Sequence, residues 1–301
     1  MGLKFIRFIF FGNYFIGLLA VALTIESTLQ LRIPFNSLSY YALLFVAPIV
    51  YYTYAYMGAT NSQAQNPRTQ WYAKHKTFIK WSQLLLSITT VLLVLYLAIA
   101  NCQGIFHLPL KYWLIVLTML GMAVLYYGLV PVFFFNLNLR NTGWLKPFII
   151  GFVWATTANL LPIILLKIES GVDVPESTLW GFLFVKNWMF CTVNAIMFDM
   201  KDYAIDSNRQ LKTFVVRIGL KKTIFYVLLP LLFTGMLSLL LFFSLNHFPL
   251  QRILLNLFPF LLTAVVAYSM NKRKNIFYYL IVIDGLILVK ALCGICGMLL
   301  I

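Results

Sequence analysis

Nine stretches of about 20 mostly apolar residues recur along the chain, and nothing constrains its fold more strongly. They run over 5–25, 38–57, 78–100, 112–134, 147–167, 179–199, 223–244, 251–270 and 276–299. About 20 residues of α-helix are what the hydrocarbon core of a bilayer requires. Backbone N–H and C=O groups find no water there, so a spanning segment satisfies them within a helix or a closed barrel. The runs lack the period-two alternation of barrel strands, which leaves helices. With 62% hydrophobic and 10% charged residues in 301, the chain also lacks the polar surface to cover a soluble globule. The expected fold is all-α: one polytopic membrane domain over 1–301 with about nine transmembrane helices. The first run, preceded by Lys4 and followed without a small-residue cleavage site, reads as a span and not as a signal peptide.

Charge sets the orientation. The chain carries 23 Lys and Arg against eight Asp and Glu, a net +15. Such a balance suits nucleic acid, but the basic residues are dispersed among short loops and not gathered on one soluble domain, so that class is excluded. With the N-terminus inside, 17 of the 23 fall in inner segments and only Arg32, Lys111, Lys167 and Arg252 in outer ones. That is the positive-inside asymmetry of a multi-pass protein with a cytoplasmic N-terminus. A bacterial inner membrane is the expected location.

Chemistry concentrates where the sixth run ends, in Phe198-Asp199-Met200-Lys201-Asp202-Tyr203-Ala204-Ile205-Asp206. Aspartates spaced by three and four residues share one stripe if the helix continues. Three adjacent carboxylates repel, and a hard divalent cation among them relieves that repulsion. Arg209, Lys212 and Arg217 follow, side chains suited to a polyphosphate. A solvated charged loop is the plain alternative. Against it, these are three of only eight acids, on the side where basic residues alone satisfy topology.

The segment FDMKDYAIDSNRQLKTFVVRIGLKK resembles the second aspartate-rich motif of the UbiA-type intramembrane prenyltransferases, D-x-x-D-x-x-x-D before a basic stretch and a glycine. The stretch from Leu139-Arg140 to Lys146, ahead of Gly151, is similar to that family's basic loop between the fourth and fifth spans. The resemblance implies a helical bundle around a central cavity that opens at the cytoplasmic surface. It also implies transfer of an isoprenoid group from a prenyl diphosphate to a hydrophobic acceptor, aromatic or lipid, with Mg²⁺ as cofactor. Asp199, Asp202 and Asp206 would hold the metal and serve catalysis. Arg140, Arg68, Lys74, Lys212 and Asn61 would contact the diphosphate.

The family's first acidic motif, expected after the second span, has no counterpart. Residues 51–76 hold no acid, and none occurs between Glu26 and Glu169. One register sets Asn61 on the family's Asn and replaces its aspartates with Ser62, Gln65 and Thr69. Neutral oxygens cannot match three carboxylates as ligands. The chain is then either an enzyme working with one acidic cluster or a membrane protein that binds or transports a lipid, isoprenoid or solute without bond chemistry. Within the spans, Asn13 and Asn159 are expected to make interhelical hydrogen bonds. Lys186 is expected to snorkel from the outer end of its helix, and Asp284 needs a partner or a wet cavity. Cys293 and Cys296 form a CxxC inside an apolar run and read as packing residues.

Overall fold

The computed structural model describes residues 2–57, 66–127, 143–175, 178–201, 203, 213–272 and 274–299. Among them every regular element is helical. The run expected as one span over 5–25 is divided into α1 (Gly2–Phe11) and α2 (Tyr14–Leu31). The break falls at Gly12-Asn13, where Asn13 adopts the left-handed backbone region at φ 64°. Asparagine tolerates that region better than most residues because its short polar side chain bonds locally. Gly12 is required beside it, since a Cβ there would stand 2.6 Å from the Phe8 carbonyl oxygen. The first span is therefore α2, displaced toward the C-terminus, and Glu26 lies inside it.

The chain continues through α3 (Leu38–Met57), the short α4 (Pro67–Lys74), α5 (Lys76–Ala100), α6 (Cys102–Phe106) and α7 (Leu110–Tyr127). Then come α8 (Lys146–Ser170), α9 (Thr178–Lys201), α10 (Phe214–Ile218), α11 (Leu220–Leu245), α12 (Leu250–Ser269) and α13 (Tyr278–Leu299). Eight of these, α2, α3, α5, α8, α9, α11, α12 and α13, are long and apolar enough to cross a membrane. Apolar α7 covers the start of the span expected over 112–134, as far as the described residues reach. The protein is an all-α polytopic membrane protein.

Successive spans run antiparallel, which gives the bundle two ends. One, called the basic end here, gathers the start of α2, Lys146 of α8 and the end of α9. The far end gathers the close of α2 and of α8, where Glu169 accepts hydrogen bonds from the Ser37 backbone N–H at 3.0 Å and its hydroxyl at 2.5 Å. On α5, Leu84, Leu85, Ile88, Leu92, Leu95 and Ile99 are all exposed, a face that only lipid would solvate.

The core centres on α9, which packs between α8 and α11. Close approach to α8 depends on Gly151, where a Cβ would come 2.2 Å from Thr192 Oγ1. Small residues that let backbones meet are the usual basis of helix association in lipid. Two spans widen into a π-helical turn just ahead of a proline: Thr156–Leu160 before Pro162, and Ile224–Leu228 before Pro230. Proline lacks an N–H and clashes with the carbonyl one turn back, and the wider turn accommodates both defects without ending the span.

Candidate functional site

At the basic end, antiparallel packing through Gly151 and Thr192 brings the first turn of α8 beside the last turn of α9. Trp188 Nε1 reinforces the register by donating to the Phe148 carbonyl at 2.9 Å. Lys146, five residues before Gly151, thereby meets Asp199, seven after Thr192, and their side chains form an ion pair. Asp199 is buried at 3% exposure, whereas the Lys146 side chain keeps 21%. Buried carboxylates occur paired or on metals, because an isolated one is costly to desolvate. Asp199 suits a hard cation as an oxygen donor, with Lys146 already neutralising one of its oxygens.

Asp202 and Asp206, the other two expected metal ligands, lie outside the described residues, as do Arg140, Lys212 and Asn61. The mouth expected for a central cavity falls largely on the same segments. Among the described residues no three His, Cys, Asp or Glu side chains cluster as a metal group.

Arg68 and Lys74 sit on α4, which begins at Pro67 with Asn66 capping it by accepting from the Arg68 N–H at 2.9 Å. The register that set Asn61, Ser62, Gln65 and Thr69 on the family's first motif thus crosses from a segment outside the described residues into a separate helix. Lys74 is exposed at the end of α4. Arg68 is buried at 7% exposure and faces inward. Its guanidinium donates to Asn13 Oδ1 at 2.5 Å, to the Phe11 carbonyl at 3.1 Å and to the Tyr56 hydroxyl at 3.2 Å, and lies over the Tyr56 ring. The Phe11 carbonyl is an acceptor left over by the break between α1 and α2, and the Tyr72 hydroxyl also donates to it at 2.8 Å. Asn13 completes the knot by donating to Thr53 Oγ1 at 3.1 Å. Burial pushes the Tyr72 phenol above its ordinary value, against the opposing charge of Arg68, so it remains a donor. Asp284, buried in α13, has no hydrogen-bond partner among the described residues.

A second ionic centre was not expected from the sequence. Glu26 of α2 accepts from Lys186 of α9 at 2.8 Å through Oε1 and from Lys290 of α13 at 2.5 Å through Oε2. All three side chains are 1 to 2% exposed. Lys186 is therefore a buried partner and not a snorkelling side chain, and Lys290 serves Glu26 and not Asp284. Lys186 also donates to Gln30 Oε1 at 2.6 Å, and Gln30 Nε2 donates to Asn256 Oδ1 of α12 at 2.9 Å. Alongside, Ser27, Asn159 and Asn187 hydrogen-bond one another at 3.1 to 3.2 Å. Asn159, like Asn13, makes the interhelical bonds expected of it. Gly294 permits the triad, because a Cβ there would stand 2.4 Å from Glu26 Cγ. The usable signal was the Gly12-Asn13 pair: read as a break, it moves the first span onto Glu26, and a carboxylate in a span demands a cation.

No family model matches this chain, and no curated protein or solved structure matches it either.

Proposed function

We propose that the protein is an intramembrane prenyltransferase of UbiA type, working at the basic end of the bundle. The observation that carries this reading is the buried Asp199 beside Lys146, at the head of the D-x-x-D-x-x-x-D stretch. An acid held in place at the point where a basic, acid-studded segment leaves the membrane suits a metal and a diphosphate better than it suits a solvated loop.

In this reading Asp199, Asp202 and Asp206 hold Mg²⁺, which would supply positive charge to the departing diphosphate. Arg140, Lys212 and Lys74 contact the diphosphate oxygens, and Lys146 hands its ion pair from Asp199 to the incoming anion. The bond between the allylic carbon and the diphosphate oxygen breaks, and its electron pair leaves with pyrophosphate. The acceptor forms the new bond to that carbon and loses a proton. Fixed cations in a partly water-excluded site stabilise the developing charge more than water would. Arg68, bound to Asn13, Phe11 and Tyr56, positions α4 against α2 and leaves the diphosphate to its neighbours. The basic end faces the cytoplasm of a bacterial inner membrane, with the N-terminus inside.

The second reading is a membrane protein that binds or transports a lipid, isoprenoid or solute. It is favoured by the Glu26–Lys186–Lys290 triad, since ionisable groups within spans mark transport paths as often as catalytic sites. One experiment separates the two: incubation of the purified protein with labelled prenyl diphosphates, Mg²⁺ and candidate acceptors, following pyrophosphate release. Release that requires Mg²⁺ and disappears in Asp199→Asn supports the transferase. Diphosphate binding without release across the panel supports the binding protein.

A further inference from the structure

At the far end two arginines converge without an acid among the described residues. Arg32 caps the C-terminus of α2 in the left-handed region at φ 55°. Arg252 lies on the first turn of α12. Their guanidinium carbons stand 4.9 and 5.0 Å from the centroid of one ring, Phe248, so the two are less than about 10 Å apart.

This pairing is built and not incidental. Gln30, two residues before Arg32, donates to Asn256, one turn after Arg252, at 2.9 Å. Asn256 Nδ2 donates back to the Arg252 carbonyl at 2.9 Å. These bonds tie the end of α2 to the start of α12 and fix the arginines side by side. The same network runs on through Gln30 to Lys186, so the ground behind the arginines holds two lysines against the single carboxylate of Glu26.

Like charges held this close repel, and nothing described at this end offsets them. Both Glu26 oxygens are engaged by lysines, Glu169 by Ser37, and Asp173 by Lys167. Neither guanidinium has a carboxylate partner among the described residues, and Arg252 Nε is a buried donor with no acceptor there. Arg252 also stands at the positive end of the α12 dipole, where a cation is unfavourable and an anion welcome. A planar, forked donor matches phosphate oxygens, and this end of the bundle lies where a lipid headgroup would be.

We propose that Arg32 and Arg252 form a clamp for the phosphate of an anionic phospholipid in the leaflet at the far end, a site separate from the proposed transferase centre and independent of it. The test uses the full-length protein, delipidated in detergent and titrated with phosphatidylglycerol, phosphatidylcholine or inorganic phosphate while its Tm is followed. Phosphatidylglycerol is expected to raise the Tm by several degrees more than phosphatidylcholine. Arg32→Gln/Arg252→Gln is expected to weaken the phosphatidylglycerol response about tenfold in concentration, whereas Lys111→Gln, at the same end, leaves it unchanged. If the double variant does not fold, Arg32→Gln alone, at an exposed helix cap, carries the test and is expected to lose at least half of the shift. Equal responses to the two lipids, or equal losses in Lys111→Gln, would overturn the clamp. A full shift from inorganic phosphate alone would overturn its assignment to lipid.

Discussion

Two carboxylates, one toward each end of the bundle, are buried against lysines. Asp199 is buried with one lysine, Glu26 with two. Glu26→Gln strands both Lys186 and Lys290 as unpaired cations in an apolar interior, a loss of about 3–5 kcal/mol. The triple replacement Glu26→Leu/Lys186→Met/Lys290→Met removes acceptor and donors together and is expected to recover most of it, since a buried ion pair is often no better than an apolar substitute. Denaturant titration of the detergent-solubilised variants checks both outcomes, and equal stability of wild type and Glu26→Gln would mean the triad contributes nothing. Asp199→Asn removes a hard anionic ligand and is expected to abolish Mg²⁺-dependent affinity for a prenyl diphosphate in calorimetry. An unchanged affinity in that variant would return the acidic stretch to a solvated loop. The aspartate spacing made Asp199 legible as a candidate, but its partner was not legible. Lys146 stands 53 residues away and is chosen by the register of α8 on α9. Nor was Glu26 legible as a buried acid, because hydropathy shows neither the backbone break ahead of α2 nor the distant lysines that offset a charge within it.

Among the described residues, apolar runs of membrane length predicted seven spans to within a few residues, met the run over 112–134 only at its start in α7, and erred on the first. Residues 5–25 are mostly apolar, so hydropathy joins α1 to α2, whereas the left-handed backbone at Asn13 separates them. Backbone conformation leaves no trace in hydropathy, although Gly followed by Asn is the residue pair that permits it. Helix contacts made through glycine offer a direct test. In Gly151→Val the new side chain must displace Thr192, and the α8–α9 interface is expected to lose about 1–3 kcal/mol. The same displacement separates Lys146 from Asp199, so diphosphate affinity should fall together with the Tm. Thr192→Ala on that background is expected to recover part of both. Recovery of stability without affinity would show that the ion pair does not depend on this helix contact.

The whole molecule is a bundle whose two ends differ in charge. Cysteines introduced at Gln70 and Asn271 are expected to react with a membrane-impermeant maleimide only from the cytoplasm, and those at Ile33 and His247 only from the opposite side. Reaction of both members of one pair from different sides would break the arrangement of spans. The triad that joins α2, α9 and α13 has a consequence for how such a molecule is made. Lys186 follows Glu26 by 160 residues and Lys290 by 264. At a synthesis rate of about 5–20 residues per second, the first span waits roughly 8–30 s for its first counterion. During that interval α2 enters the bilayer carrying a carboxyl with no lysine to meet it, and a protonated, neutral acid is the form lipid accepts at least cost. Glu26 would then take up its charge only when α9, which carries Lys186, reaches the insertion machinery. Chains that stall before Lys186 would present quality control with a first helix whose acid has no partner.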